Sequence, residues 1–292
     1  MEDLLKEEFG SNELRSIGNA GVKRRAKRNA NVFSLNGEKV FVKCNALKGS
    51  RTMYEGEYVS LTKLGHVNVV KAPKPIKVFG RGDNSFFVME YLEINPVIKN
   101  AARRRTSQFV DKFGFDVSTS CGLVSTNNEW VDDWLTFYAR NRLKPQIDLV
   151  VSTFQDRKVT SFWSGIERLL PKIFTDDLNI IPSLLHGDFW EGNIGEIVNT
   201  GKTEAESQLC IFDPASFYGH SEFDLALLHL HGGFHSEFFE AYHNILPKLP
   251  GFEKRLKVYM LFHILNGWNH FGSGFQTSTI ALMKEISDVC QT

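Results

Sequence analysis

Asp188, Asn193 and Asp213 are spaced as the enzymatic transfer of a phosphoryl group requires. Asp188 follows a His-Gly pair, Asn193 comes after four further residues, and Asp213 closes the apolar stretch 209–212. In such enzymes the first carboxylate accepts the proton of the attacking hydroxyl, while the amide and the second carboxylate supply hard oxygen ligands for Mg²⁺. The pattern therefore predicts Asp188 as the catalytic base and Asn193 and Asp213 as metal ligands, rather than ordinary loop and turn residues.

A cation is also expected in the first part of the chain, because the phosphates of a nucleotide are negatively charged. Lys43 ends the apolar run 40–42, where the phosphate-contacting lysine of a kinase stands. A glutamate on the following helix must orient this lysine, and we assign that role to Glu57, with Glu55 as the alternative. Taken alone, a lysine at a strand end is usually a solvated charge. The motif around Asp188 makes a nucleotide contact the better interpretation.

The first part of the chain has the pattern of a small sheet with one helix against it. Helical spacing predicts a helix over the first ten residues, and Gly10 and Gly18 are expected to bracket a second short helix. Asn36-Gly37 lies between two β-rich runs and predicts a hairpin over 32–45. The elements expected to follow are a helix over 53–64, ended by Gly65, and strands over 76–79 and 86–89.

Beyond Leu92 the apolar residues follow helical spacing, over the stretches 130–143, 160–173, 235–245 and 252–266. A β-rich lobe, residues 1–93, is therefore predicted to precede a helical lobe, residues 94–292, in a bilobal α+β fold. A ligand is expected in the cleft between two such lobes. The join between them supplies the other predicted nucleotide contacts, which are Met89, Glu90, Tyr91 and Leu92.

Three further features have simpler interpretations. The segment 221–224 resembles a helix start, with Ser221 as the capping residue and Asp224 in the first turn. The histidine-rich stretch 229–235 resembles a metal cluster, but residues two apart on a helix point to different sides, so zinc is not expected there. The arginines 103–105 are expected to lie in a solvated loop.

Composition argues against several classes of function. Acidic and basic residues number 34 each, so the net charge is zero and neither nucleic acid nor an anionic membrane is an expected partner. The four cysteines are far apart in sequence, which argues against a zinc knuckle or a disulfide framework and favours a reducing compartment. No apolar run reaches the ~20 residues of a membrane helix. With no secretory signal apparent, a cytoplasmic protein is predicted.

Several longer motifs resemble the fructosamine-3-kinase and ketosamine-3-kinase-related proteins, a family similar to the aminoglycoside and choline kinases. The most specific is Asp-Pro-Ala-Ser-Phe-Tyr-Gly-His at 213–220, and the likeness extends over most of the chain. The other motifs that carry it are Phe-Val-Lys at 41–43, Tyr-Glu-Gly-Glu at 54–57, Phe-Val-Met-Glu at 87–90, Val-Asp-Lys-Phe-Gly-Phe at 110–115, Asn-Glu-Trp at 128–130, the loop 185–193 and Trp-Asn-His-Phe-Gly at 268–272.

The resemblance implies a protein-kinase-like bilobal fold and ATP-dependent phosphorylation of the sugar 3-hydroxyl of ketosamines, after which the adduct releases its amine. The cofactors implied are ATP and Mg²⁺, and the substrates implied are glycated small amines or glycated proteins. Trp190 stands two residues past Asp188, where protein kinases usually carry a lysine, and its indole favours stacking on a sugar. Trp190 and His186 are the predicted acceptor contacts.

Two departures from the family pattern keep other functions open. The phosphate-covering loop of the family is short and rich in small residues, whereas residues 18–26 here include Lys23, Arg24 and Arg25. These three could replace part of the backbone that binds phosphate elsewhere, or form a solvated basic loop. The segment 93–109 is also shorter than in the family. The alternatives are a pseudokinase that binds nucleotide or glycated protein, and a kinase for another small alcohol such as choline or an aminoglycoside.

Overall fold

The computed structural model describes residues 1–11, 13–19, 29–67, 70–95, 110–175, 178–197 and 208–289. Within these ranges a β-rich amino-terminal lobe precedes a helical carboxyl-terminal lobe, so the predicted order of the two lobes is confirmed. The basic residues 23–25 and the arginines 103–105 lie outside the described residues, and the role expected of each stays a prediction.

The amino-terminal lobe is a five-stranded antiparallel sheet with strand order β1-β2-β3-β5-β4. Its elements are α1 (Glu2–Phe9), β1 (Arg15–Asn19), β2 (Asn29–Leu35), β3 (Glu38–Asn45), α2 (Ser50–Val67), β4 (Pro75–Arg81) and β5 (Asn84–Glu90). The predicted hairpin turns at Asn36 and Gly37, whose φ values of 52° and 87° are positive, as a two-residue turn between right-twisted strands requires.

Alternate side chains of β5 enter two separate hydrophobic cores, as the period of a strand dictates. Phe86 and Val88 pack on the face of the sheet that α1 covers. Phe87 and Met89 pack on the other face, against α2, in a core that also contains Ile194 of the second lobe. The two lobes therefore share a hydrophobic contact beside α2.

Two predictions in this lobe are wrong, one about the type of an element and one about the end of a helix. Residues 15–19 form β1, paired with β2, instead of the second short helix expected between Gly10 and Gly18. Ile17 is the single apolar side chain of this short strand and it is exposed, so the sequence offers no periodicity there. The helix α2 continues through Gly65, because a glycine inside a helix costs only about 1 kcal/mol relative to alanine while Leu61 and Leu64 beside it are buried.

The carboxyl-terminal lobe packs its helices around one large aromatic core. These helices are α3 (Trp134–Tyr138), which a π-helical turn (Ala139–Leu143) continues, α4 (Lys144–Phe154), α5 (Arg157–Ile173), α6 (Phe223–His231), α7 (Ser236–Ile245), α8 (Phe252–Phe271) and α9 (Gln276–Val289), with one short 3₁₀ turn (Ser273–Phe275) before α9. No helix in the described part of the chain is long and apolar enough to cross a membrane.

Short strands lie within the segments that connect the first sheet and these helices. They are β6 (Ile94–Asn95), β7 (Thr119–Cys121), β8 (Val124–Thr126), β9 (Ser183–Leu185), β10 (Ile194–Ile197), β11 (Gln208–Ile211) and β12 (Phe217–Gly219), with a 3₁₀ turn (Glu191–Asn193) before β10. Because β6 pairs with β10 rather than with the first sheet, we propose that the lobe boundary falls after Glu93.

Candidate active site

Lys43 lies where the two lobes meet, between two carboxylates. It is on β3 and only 4% exposed. Its Nζ pairs with the Glu57 carboxylate of α2 and donates to Asp213 Oδ1 of the other lobe at 2.8 Å. Glu55, the alternative partner, faces solvent and pairs with Arg51 at 2.9 Å. The structure therefore joins Lys43 to Glu57, and this lysine links the two lobes.

The positive charge of Lys43 is maintained although its side chain is buried. Burial alone would lower the pKa of the ammonium, but the charges of Asp213 and Glu57 outweigh burial, and the pKa is raised. Lys43 therefore stays protonated near neutral pH, and its charge is available to a phosphate group.

The loop after β9 brings the three predicted polar residues together. Asn193 Nδ2 donates to the Asp188 carbonyl oxygen at 2.8 Å and to Asp188 Oδ2 at 2.9 Å. The Asn193 carbonyl oxygen accepts from the Phe212 N–H at 3.0 Å. Because Asp213 directly follows Phe212, this backbone contact places Asp213 beside Asn193. The catalytic base and the two metal ligands expected from the sequence are thus neighbours.

The backbone around these residues is tightly constrained. Asp213 has φ 57°, in the left-handed region that non-glycine residues seldom adopt. Gly187 has φ 81°, and a Cβ added there would collide with the Ala215 carbonyl oxygen. The Ala215 N–H in turn donates to the His186 carbonyl oxygen at 2.9 Å. The loop that carries Asp188 therefore packs backbone to backbone on the segment after Asp213, and position 187 requires glycine.

His186 supports this loop and does not face the acceptor. It has no exposed surface. Its Nδ1 accepts from the Asp188 N–H at 3.3 Å, so its Nε2 carries the proton and donates to the Phe212 carbonyl oxygen at 3.1 Å. A substrate cannot reach a side chain buried in this way, and the acceptor contact predicted for His186 is wrong.

Trp190, the other predicted acceptor contact, is half-buried at the edge of the same loop. Its ring centroid lies 5.5 Å from that of His231 on α6. A Cβ added at Gly192 would collide with the indole, so the ring lies directly over the backbone of residue 192. The part of the indole that stays exposed is the part a sugar could contact.

The four residues at the join between the lobes are not equivalent. Met89 is buried, and the Glu90 carboxylate pairs with Lys71 at 2.7 Å. The N–H groups of Glu90 and Tyr91 donate to carbonyl oxygens next to β4 and on β3. The N–H of Leu92 has no acceptor within the described ranges. Among the described residues the N–H of Leu92 is therefore the backbone donor at this join that a nucleotide base could use, whereas the Glu90 carboxylate is already paired.

Asp224 holds the loop that carries Asp188, a role that the sequence analysis did not assign to it. Its Oδ2 accepts from the His186 N–H at 2.8 Å and its Oδ1 from the Gly187 N–H at 2.9 Å. The predicted capping role of Ser221 is wrong, because α6 begins after Glu222 without a side-chain cap. A carboxylate within the apolar run Phe-Asp-Leu-Ala-Leu-Leu was the available signal, since a charge on a buried helix needs partners.

Asparagine at position 224 should weaken both folding and catalysis. The amide of Asp224→Asn would set an N–H group against a backbone N–H, so one buried donor loses its acceptor. The free energy of unfolding should fall by about 1–3 kcal/mol, and the transfer rate should fall with it as the loop shifts. Urea denaturation and steady-state kinetics measure the two effects. Ser221→Ala is the control, because the Ser221 side chain makes no cap. A loss of stability and rate in Ser221→Ala equal to that in Asp224→Asn would contradict the role of Asp224.

The helix α2 is held against the second lobe through a glycine and a serine. A Cβ added at Gly56 would collide with the Ser118 carbonyl oxygen and lie 3.1 Å from Thr119 Cα. One turn later the hydroxyl oxygen of Ser60 accepts from the Ser216 N–H at 3.3 Å. These contacts lie beside Glu57, so they fix the carboxylate that pairs with Lys43.

Alanine at position 56 should therefore displace α2 and impair catalysis. Gly56→Ala is expected to raise the KM for ATP and to lower kcat. The ratio kcat/KM should fall by about tenfold or more, because an ångström-scale displacement of a catalytic group has a cost of this order. The matched control is Gly65→Ala on the same helix, where an added Cβ meets nothing within 4 Å and should add about 0.5–1 kcal/mol of stability. Steady-state kinetics and thermal melting of both variants measure these effects. Equal activity of Gly56→Ala and Gly65→Ala would contradict the role of Gly56.

Sequence comparisons identify the family of this chain. The model of the fructosamine kinase family matches residues 3–288. A ketosamine-3-kinase of Mus musculus is 40% identical, covering 98% of this chain and 100% of the mouse protein. A chloroplastic protein-ribulosamine 3-kinase of Oryza sativa subsp. indica is 32% identical, covering 84% of this chain and 71% of the rice protein.

Solved structures share the fold. One from Haemophilus somnus, assigned to the fructosamine-3-kinases, superposes with a TM-score of 0.79 at 22% identity and covers 98% of this chain and 96% of its own. An aminoglycoside phosphotransferase superposes with a TM-score of 0.58 at 15% identity, covering 99% and 98%. The predicted kinase-like bilobal fold is confirmed, and the family match over nearly the whole sequence shows that this chain belongs to the fructosamine kinase family.

Proposed function

We propose that this protein is an ATP-dependent ketosamine kinase, which transfers the γ-phosphate of ATP to the sugar 3-hydroxyl of a ketosamine. The substrates would be ribulosamine or fructosamine adducts on small amines or on protein lysines, and the phosphorylated adduct would then release its amine. The observation that carries the proposal is the convergence of Asp188, Asn193, Asp213 and Lys43 at the junction of the lobes. The names of the mouse and rice relatives support the acceptor class.

The nucleotide would be held by groups of both lobes. Lys43, oriented by Glu57, would contact the phosphates, and the N–H of Leu92 would donate to the base. An aminoglycoside phosphotransferase of the same fold has been solved with ADP and hygromycin B, which supports a nucleotide in this cleft. These contacts would hold the two ends of ATP, so that the γ-phosphate would lie near the loop of Asp188.

The residues fit a magnesium ion that also uses phosphate oxygens. Asp213 offers a carboxylate and Asn193 an amide oxygen, both hard ligands of the kind Mg²⁺ takes. Among the described residues no three His, Cys, Asp or Glu side chains cluster into a metal site. Mg²⁺ bound through one or two protein oxygens, phosphates and water needs no such cluster. When bound, the ion would neutralise charge on the transferring phosphate.

The acceptor would be activated by Asp188 and positioned by Trp190. The Asp188 carboxylate would take the hydroxyl proton as the sugar oxygen bonds to phosphorus and the bond to ADP breaks. The indole of Trp190 would stack on the sugar. We place the reaction in the cytosol, because the cysteines of the described residues, Cys44, Cys121 and Cys210, form no disulfide, although the rice relative is described as chloroplastic.

The test is incubation with ATP, Mg²⁺ and a panel of acceptors, followed by mass spectrometry. The panel contains ribulosamine and fructosamine adducts of lysine, choline and an aminoglycoside. We expect the mass of one phosphate to appear on the ketosamines only. Preferential phosphorylation of choline or the aminoglycoside would reject the acceptor class. Binding of ATP, seen as a thermal shift, without transfer to any acceptor would indicate a pseudokinase.

A further inference from the structure

The hairpin β7–β8 reaches the catalytic carboxylate through Cys121. This residue ends β7 and is 4% exposed. Its Sγ lies 3.8 Å from Asp188 Oδ1, within reach of an S–H donor, while Asn193 Nδ2 donates to Asp188 Oδ2 at 2.9 Å. Donors from two different elements therefore face the two oxygens of one carboxylate.

The thiol is itself oriented by a helix of the same lobe. Asn266 Nδ2 on α8 donates to Cys121 Sγ at 3.2 Å. An N–H group on the sulfur lone pair leaves the S–H group to point elsewhere, and Asp188 Oδ1 lies within its reach. Burial raises the pKa of the Cys121 thiol well above its ordinary value, and the nearby Asp188 raises it further, so the sulfur keeps its proton.

The tip of the hairpin is fixed to α8 as well. His270 Nδ1 donates to the Asn266 carbonyl oxygen at 2.7 Å, and His270 Nε2 accepts from the Leu123 N–H at 2.7 Å. A Cβ added at Gly122 would collide with the His270 ring. The residue next to Cys121 thus packs directly on the imidazole, which leaves the thiol little freedom to move away from Asp188.

We propose that Cys121 is a positioning residue, which orients the Asp188 carboxylate toward the acceptor hydroxyl while Asn266 sets the direction of the thiol. Hydrogen bonds to both oxygens restrict rotation of the Asp188 carboxylate. A catalytic group that is already held in the productive geometry loses less entropy in the transition state. This role rests on the proposed function, in which Asp188 is the base. In this role Cys121 acts through Asp188 and not directly on the substrate or the nucleotide.

The kinetic test compares two buried thiols. Cys121→Ala should lower kcat about tenfold, the order expected for a misoriented catalytic group, and should leave the KM for ATP within about twofold because the nucleotide contacts remain. Cys121→Ser keeps a donor and should recover part of the loss. Cys210→Ala removes a buried thiol that donates to the Gly195 carbonyl oxygen at 3.4 Å, and should leave kcat unchanged. Wild-type kcat in Cys121→Ala, or an equal loss in Cys210→Ala, would overturn the proposal.

A spectroscopic test needs no turnover. The S–H stretching band of Cys121, isolated in the infrared as the difference between wild type and Cys121→Ala, should lie at the lower frequency of a donating thiol. The band should move to higher frequency in Asp188→Ala, which removes the acceptor. A band that does not move would overturn the proposal. Because this spectrum is recorded without substrate, it stays decisive when no ketosamine is phosphorylated, a result that would instead reject the proposed function.

Discussion

Asp188→Asn should lose transfer almost completely while binding ATP nearly as well as the wild type. The carboxylate acts on the acceptor hydroxyl and not on the nucleotide, so the loss should appear in kcat and be on the order of 10²–10⁴, as for other general bases. The asparagine oxygen can still accept from Asn193 Nδ2, which keeps the loop in place. Coupled ADP release measures the rate, and titration calorimetry measures ATP affinity.

The control for this variant is Asp148→Asn, which changes an exposed carboxylate paired with Lys144 on the outer face of α4. Its rate should equal that of the wild type. Turnover near the wild-type rate in Asp188→Asn would contradict the assignment of the base. A parallel loss of ATP affinity would show instead that Asp188 acts on the nucleotide site.

Asp213→Ala should abolish the dependence of ATP binding on Mg²⁺, and transfer with it. A methyl group cannot replace a carboxylate that joins metal and phosphates. The change also removes one of the two carboxylates on Lys43. The loss of a carboxylate beside Lys43 should alter ATP binding with or without Mg²⁺. The loss of the metal ligand should alter ATP binding only when Mg²⁺ is present. Calorimetry with and without Mg²⁺ therefore distinguishes them. A variant that still binds ATP more tightly when Mg²⁺ is added would contradict the metal role.

The pairing of Lys43 with Glu57 shows what the sequence could establish. Tyr54, Leu61 and Leu64 are the buried apolar side chains of α2, and Glu57 falls on their face at helical spacing. Glu55 is two residues away and points outward. Helical periodicity therefore distinguishes Glu57 from Glu55, which the motif alone did not. The residues 188 and 193 were predicted for a similar reason, because their chemistry requires a short, fixed spacing.

The contacts that the sequence could not predict join distant parts of the chain. Cys121 is 67 residues from Asp188, and Asn266 is 145 residues from Cys121. No local pattern specifies such partners, since they depend on how α8 and the hairpin pack. Asp224 lies in the first turn of α6 as predicted, and His186 was assigned a plausible local role, a substrate contact. Only packing shows that both residues are buried supports of the loop.

The position of the phosphate on the product is the decisive measurement. A ketosamine labelled with ¹³C throughout its sugar is incubated with the protein, ATP and Mg²⁺, and the carbon that couples to ³¹P is identified by NMR. The proposed function predicts coupling centred on the third carbon, followed by release of the free amine, with neither signal in Asp188→Asn. Phosphate on another oxygen, or consumption of ATP without any labelled phosphate ester, would contradict it.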